Sequence, residues 1–274
     1  MIELKSAGEL DAIGAAGAVV GSVLTALSRR AAVGVSPHEL NEVAVDLIAE
    51  AGARPTFLGY HPASAPGPYP AVICASVNDA VVHAIPSRQP LRDGDLLSID
   101  LAVHLDGWCA DAAFSTVVGR PRAGDPDLIE TTERALRAGI AAATPGARIG
   151  DIAHAIGSVG RAGGYGLLAH HGGHGVGRSM HEGPFVPNEG RRRRGPRLLP
   201  GMVLALEPML IAGGRDDYRH DPDGWTLRTA DGSRAAHAEH TIAITPDGPR
   251  VLTAGRPGAG TAPVEGRAGR RPGR

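Results

Sequence analysis

A repeat constrains this chain more than any other feature of its sequence. The run Leu91-Arg-Asp-Gly-Asp-Leu-Leu-Ser-Ile-Asp100 aligns without a gap on Leu198-Leu-Pro-Gly-Met-Val-Leu-Ala-Leu-Glu207. In each copy a glycine (Gly94, Gly201) opens an apolar run and a carboxylate closes it. Two further matches keep the same order: Val82-His83-Ala-Ile-Pro86 with Met180-His181-Glu-Gly-Pro184, and Ala110-Asp111 with Ala238-Glu239. Each half therefore reads helix, helix, His-x-x-Pro, strand with a terminal acid, second strand with an acid. Three ordered matches predict an internal duplication about a pseudo-twofold axis.

The 274 residues suffice for one large domain or two small ones, and 42% hydrophobic residues support a sizeable core. Abundant Gly, Ala, Pro and Arg look like the imprint of a GC-rich coding sequence, so single residues of these types carry little functional weight. A formal net charge of −1 gives no overall attraction to nucleic acid or to anionic membranes. Cys74 and Cys109 form no CxxC pattern and fit a reducing cytosol without a disulfide framework. The apolar stretch Ala12–Ser28 follows Glu9 and Asp11, not a basic cluster, and falls short of a membrane span. A buried helix in a cytoplasmic protein without membrane contact is expected.

Helices are predicted over 7–30, 36–51, 126–143 and 148–162. The second opens on Ser36-Pro37-His38-Glu39, where Ser caps, Pro takes the first helical position and Glu39 closes a capping box. Leu97–Val118 reads as a hairpin around Asp106-Gly107, a pair suited to a type I′ turn. That turn sets Leu105 opposite Trp108 and Ala102 opposite Asp111. Asp100 then lies on the same face as Asp111, roughly 5–8 Å away. Two carboxylates on an apolar strand pair repel unless a cation sits between them, although an edge hairpin with solvated acids explains this segment alone equally well.

Glu207 and Glu239 each sit at a strand end, where a surface acid is the ordinary expectation. Their alignment with Asp100 and Asp111 changes that, because the pseudo-twofold brings all four acids to its axis. His174 lies in the glycine-rich run His170–Gly177, which suits a backbone close to a ligand. Four oxygen donors and one imidazole favour hard to borderline divalent ions such as Mn, Fe, Co or Zn. A pair of such ions would support hydrolysis, activating water and polarising a carbonyl. His83 and His181, matched across the halves, are the candidate proton or hydrogen-bond donors. Residues 255–274, nearly all Gly, Arg, Pro and Ala, have no apolar face and are expected to be a disordered tail.

Over about residues 1–253 the sequence resembles the type I methionine aminopeptidases. The motifs are Val77-Asn-Asp-Ala-Val-Val-His83-Ala-Ile-Pro, Ile99-Asp100 with Asp111, Gly173-His174-Gly-Val-Gly-Arg178, His181-Glu-x-Pro, Glu207-Pro208 and Glu239-His240-Thr241. The resemblance implies an α+β pita-bread fold, with halves of about 1–120 and 121–254 around a central antiparallel sheet in one catalytic domain, 1–254. It implies two divalent metal ions (Co, Mn, Fe, Zn or Ni), bridged by Asp111 and Glu239, with Asp100 completing one ion and His174 and Glu207 the other. It places His83, His181 and Glu207 at the chemistry. It also implies a methionine pocket of Phe57, Tyr60, His61, Tyr69, Cys74, Met180 and Trp225. Pro62–Pro68 stands out as an insertion, Met180 replaces an aromatic residue often found before the second histidine, and Gly183 replaces a glutamate.

Removal of the initiator methionine from nascent polypeptide N-termini, ahead of a small second residue, is the implied function of a chain expected to be monomeric. Xaa-Pro aminopeptidases and prolidases share the five ligands and remain the alternative, as does a non-catalytic pita-bread binding protein. Against the first stand the absence of a preceding domain and the Asn-x-x-x-x-His83 setting; against the second, the retention of every ligand. A thiol hydrolase on Cys74 or Cys109 lacks a recognisable nucleophile setting. Arg191, Arg192, Arg193 and Arg194 form a basic loop between His181 and Glu207, a candidate contact for the ribosome surface; the bland alternative is solvated arginine from a GC-rich gene.

Overall fold

In the computed structural model, which describes residues 2–63 and 65–254, helices α1 (Ala7–Arg30), α2 (Pro37–Glu50), α3 (Asp125–Ala142) and α4 (Ile149–Ala162) fall within a residue of their predicted bounds. The tail 255–274 lies outside the described residues. Ser36 caps α2 as its sequence predicts: its hydroxyl accepts the Glu39 N–H at 3.2 Å and the Glu39 carboxylate accepts the Ser36 N–H at 2.8 Å. Ser6 and Glu9 do the same for α1. These reciprocal bonds satisfy N–H groups that a helix start leaves orphaned.

α1 buries Leu10, Ile13, Ala16, Val20, Leu24 and Leu27, the three- and four-residue spacing of one helical face. The expectation that its apolar stretch falls short of a membrane span does not hold for the whole helix. It has 24 residues and an apolar window of mean hydropathy 1.7, long and apolar enough to cross a membrane. Half of that window is buried within the protein, where α1 packs on the hairpin strands Asp95–Leu105 and Trp108–Val118. Its apolar face therefore belongs to the core.

The hairpin has the predicted register, with Leu105 opposite Trp108, Ala102 opposite Asp111 and Asp100 opposite Ala113. Asp106 (φ 48°) and Gly107 (φ 88°) supply the two positive φ angles of a type I′ turn. The second hairpin strand pairs with Glu239–Thr245 through Glu239 and Ala113, and Glu239–Thr245 pairs with Val203–Leu206. Gly172–Gly175 and Glu182–Pro187 extend that side of the nine-stranded sheet. Cys74–Val77 and Arg54–Pro55 lie along the opposite flank, against Asp95–Leu105. The pseudo-twofold runs between Trp108–Val118 and Glu239–Thr245, leaving Asp95–Leu105 on one side and Val203–Leu206 on the other; Glu207 follows the end of its strand as expected, whereas Asp100 lies in the middle of a longer one. Gly94 (φ 86°) and Gly201 (φ 95°) make the same left-handed turn into those strands, which is why the repeat opens on glycine.

The core falls into two main clusters, the first of which also takes in Val203, Ala205 and Ala243. One cluster joins α1 and α2 to the hairpin through Ile13, Leu27, Ile99 and Leu101. The other joins α3 and α4 to the second half through Leu128, Ile152, Leu204 and Ile242. The fold is thus a curled antiparallel sheet backed by two pairs of helices.

Gly17 offers a test of this packing. A Cβ there would overlap the Leu252 backbone carbonyl, which cannot rotate away. Helix propensity alone favours Ala over Gly by about 1 kcal/mol. Overpacking costs about 1–3 kcal/mol and here meets rigid backbone. Gly17→Ala is expected to lose about 1–2 kcal/mol in urea denaturation; a stabilised variant would show that α1 does not seat on Leu252.

Candidate metal centre

The sheet delivers four acids to one cleft. Asp100 and Asp111 come from the hairpin, Glu239 from the start of its strand, and Glu207 directly follows Val203–Leu206. Thr241 fastens the axis: its hydroxyl donates to the Asp111 carbonyl at 2.8 Å and accepts the Asp111 N–H at 2.9 Å. Asn188 holds the Glu207 carbonyl from the other side at 3.0 Å. The backbones bearing the acids are therefore fixed, while the carboxylates face one another.

Donor atoms of Asp111, His174 and Glu239 lie within 4.8 Å of one another, and His174 Nε2 is 3.6 Å from Glu207. Asp100 Oδ1, Asp111 Oδ1 and Glu239 Oε1 are buried without a hydrogen-bond partner. Unpartnered buried carboxylate oxygens are costly and call for a cation. Desolvation pushes Asp111 up to about 7. Asp100, Glu207 and Glu239 also stand well above the usual carboxylate range, from burial first and neighbouring negative charge second.

The His174 Nδ1 contacts the Gly175 carbonyl at 2.9 Å. A carbonyl only accepts, so Nδ1 carries the proton and Nε2 offers its lone pair to the acids. Burial, then the nearby His181, holds the ring down to about 4, so it is neutral and able to ligate at neutral pH. Three unpartnered acceptors, an oriented imidazole and four acids fit divalent metal. The fifth donor has no twin. Ser76 stands in the matching place, since it pairs with Ser98 as His174 pairs with Ala205, two positions ahead of Asp100 and Glu207.

The acids floor a cleft of about 410 Å³. Phe57, Tyr69, Cys74 and Met180 are buried there in one apolar cluster, with Tyr60 and Trp225 packed against it. Phe57 and Trp225 meet the Tyr69 ring edge-on, at 6.3 and 5.0 Å between centroids. His83 and His181 stand on the walls. His83 holds φ 61°, a left-handed geometry that is strained for a non-glycine residue and common at functional positions. Desolvation, then the other histidines, takes it down to about 3. His181 Nδ1 lies 2.9 Å from the Tyr60 hydroxyl.

His61 is not brought into the cleft. It is exposed, and its Nε2 lies 3.3 Å from the Ala65 carbonyl, away from the cleft lining. Pro62 and Ala65 of that segment line the cleft in its place. Further wall residues are His170, His171, His220, Phe185 and Met209, none of them singled out by the sequence; His237 is buried 3.8 Å from Glu207 without lining the cleft. The doubled His170-His171 was a usable signal; His220 and Phe185 offered none. Arg191–Arg194 are all exposed and do not line the cleft; their loop lies across the start of α4, where Arg194 O accepts the Gly150 N–H at 2.9 Å.

The sequence matches metallopeptidase family M24 over residues 11–246. It is 52% identical to methionine aminopeptidase 1 of Mycobacterium tuberculosis, across 93% of this chain and 96% of that protein. It is 42% identical to the methionine aminopeptidase of Aquifex aeolicus, across 92% and 98%. The crystal structure of methionine aminopeptidase from Thermotoga maritima superimposes with a TM-score of 0.88 at 34% identity, covering 92% of this chain and 99% of that one. Prolidase from Pyrococcus furiosus shares the fold at a TM-score of 0.71 and 22% identity, over 91% of this chain and 65% of that one.

The raised carboxyls make a pH prediction. Asp111 has a folded pKa above its unfolded value, so its contribution to stability is fully present near pH 4 and lost as pH rises through about 7. In chelator, Asp111→Asn should therefore gain stability relative to wild type as pH rises from about 4 to 7. Excess Mn(II) should reverse the order at pH 7 by stabilising wild type more. Parallel melting curves for the two proteins at every pH, with and without metal, would dismiss the centre.

Proposed function

We propose that this chain, which belongs to metallopeptidase family M24, removes the initiator methionine from nascent polypeptides whose second residue is small. The observation that carries the proposal is an apolar aromatic pocket opening directly onto His174 and four acids, of which Asp100, Asp111 and Glu239 are buried. Full-length similarity to proteins named methionine aminopeptidase supports it. Residues 1–254 act as one catalytic unit.

In the pocket, Tyr60, Tyr69 and Trp225 offer ring edges and faces to a flexible thioether, and Met180 adapts around it. Asp100, Asp111, His174, Glu207 and Glu239 are the residues that would hold two divalent ions, with Asp111 and Glu239 serving both, Asp100 the first, and His174 and Glu207 the second. Divalent ions bound there supply Lewis acidity to the scissile carbonyl and lower the pKa of the attacking water. Glu207 also serves as an acceptor for the water proton. His83 and His181, neutral because desolvation lowers both, donate hydrogen bonds to substrate. The Tyr60 hydroxyl stands 2.9 Å from His181 Nδ1 and can donate to it; in that tautomer the ring proton is on Nε2, where it meets charge developing on the carbonyl oxygen. Small second residues are favoured because the next side chain must pass between these walls.

The test is hydrolysis by metal-stripped protein resupplied with Mn(II), Co(II) or Fe(II). Met-Ala-Ser should be cleaved and an Ala-Pro peptide left intact, with no turnover in chelator. Preference for the Ala-Pro peptide would favour a prolidase-like enzyme and overturn the assignment.

The site of work is part of the proposal: a monomer in the cytosol, meeting chains as they leave the ribosome. Arg191–Arg194 are exposed, and arginine pairs with phosphate bidentately while releasing counterions. Co-sedimentation with ribosomes should fall steeply between low and high salt and weaken when all four become Ser. Equal sedimentation of the Ser variant at both salts would reduce the loop to solvated surface.

A further inference from the structure

Lys5 lies just ahead of α1 with its side chain only 2% exposed, a situation in which lysine is rarely found unless paired. Its ammonium donates to the Glu182 carboxylate at 2.8 Å and to Glu3 at 3.2 Å. Glu3 is largely exposed, whereas the Glu182 side chain is 21% exposed. The chain preceding Glu182 wraps its carboxylate. The oxygen that does not meet Lys5 accepts the Ser179 N–H at 3.2 Å, and a Cβ at Gly177 would overlap both oxygens. Residues 177–182 thus form a ring closed on their own carboxylate. The side chains this ring carries into the cleft are Met180 and His181.

Both ends of the ring are anchored. The Gly177 carbonyl accepts the Cys109 N–H of the hairpin at 2.8 Å. Lys5 is itself fixed, since its backbone N–H donates to the Gly201 carbonyl at 2.7 Å and Ser6 caps α1 immediately after it. A Cβ on Gly201 would stand 2.8 Å from the Lys5 carbonyl oxygen, so glycine lets the two strands of chain touch. Gly201 also starts the run into Glu207. One residue therefore connects the start of α1 with the turn before a metal-facing acid, through its backbone, and with the loop bearing His181, through its ammonium. Partial burial opposes the Glu182 charge, yet Lys5 and the Ser179 and Arg178 N–H groups hold its carboxyl below the usual range.

We propose that Lys5 is a positioning residue: by fixing the Glu182 carboxylate it holds the 177–182 loop so that His181 and Met180 face the substrate. The inference rests on the methionine-removal assignment for its kinetic part. Lys5→Met keeps the aliphatic stem and deletes the charge, leaving the carboxylate against Gly177 without its cation. A misplaced group near the reacting atoms costs up to about 100-fold in rate. The expected result is a fall in kcat of about 10–100-fold on Met-Ala-Ser, approaching that of His181→Ala, with unchanged metal stoichiometry. In a Glu182→Gln background, Lys5→Met should add little, because the two act as one unit.

Hydrogen exchange on the metal-free protein supplies a readout independent of activity. The Ser179 amide should exchange about 10-fold faster in Lys5→Met, while amides in the middle of α1 keep wild-type rates. Wild-type kcat together with wild-type Ser179 exchange in Lys5→Met overturns the proposal. So does faster exchange throughout the protein with activity that tracks only the folded fraction. If wild type fails to cleave Met-Ala-Ser but Ser179 still responds, the functional assignment fails and the loop latch stands.

Discussion

Four carboxylates converging in one buried cleft repel one another, and the architecture exists to hold them there. The cost is visible in the protonation behaviour: Asp111 is pushed up to about 7, and Asp100, Glu207 and Glu239 rise well above the usual range. The hairpin, the Thr241 clasp on Asp111 and the Asn188 contact to Glu207 oppose that repulsion through backbone bonds that do not depend on the charges. A cation turns the same geometry into favourable binding, because the unpartnered oxygens of Asp100, Asp111 and Glu239 are already desolvated and aimed. Preorganisation of this kind makes a site tight without a folding step at the moment of binding.

Twofold symmetry assembles the acids, and its breaking shapes the chemistry. His174 has Ser76 for a counterpart, so one side of the axis carries a nitrogen donor and the other does not. The walls diverge as well. Phe57, Tyr60 and Tyr69 build an apolar socket together with Met180 and Trp225, while His170, His171 and His220 give a polar stretch of wall near His83. A symmetric cleft would treat both ends of a peptide alike. An asymmetric one can seat an apolar side chain at one end and leave room for the continuing chain at the other.

Stability and function also meet at the N-terminus. α1 is apolar enough for a membrane, yet its buried face supplies the wall on which the hairpin lies. Residues just ahead of it reach Gly201 and Glu182. The segment that leads into this helix thereby also touches the loop carrying His181.

Much of this was legible in the chain itself. Helix bounds followed from caps and periodicity, which are local: Ser36 with Glu39, or the spacing of Leu10, Ile13, Ala16 and Val20. The hairpin register followed from Asp106-Gly107, because a type I′ turn allows one pairing and strand alternation then puts Asp100 and Asp111 on one face. The duplication brought Glu207 and Glu239 to them, since a repeated sequence folds the same way twice. The cleft walls were decided elsewhere. His61 turns outward while Pro62 and Ala65 turn in, and His220 and Phe185 arrive from strands far apart in sequence. The lysine beneath the His181 loop looked like any charge before a helix. Turns and caps are short-range and can be read from neighbouring residues, whereas a wall side chain is placed by what packs behind it, and only the folded chain supplies that.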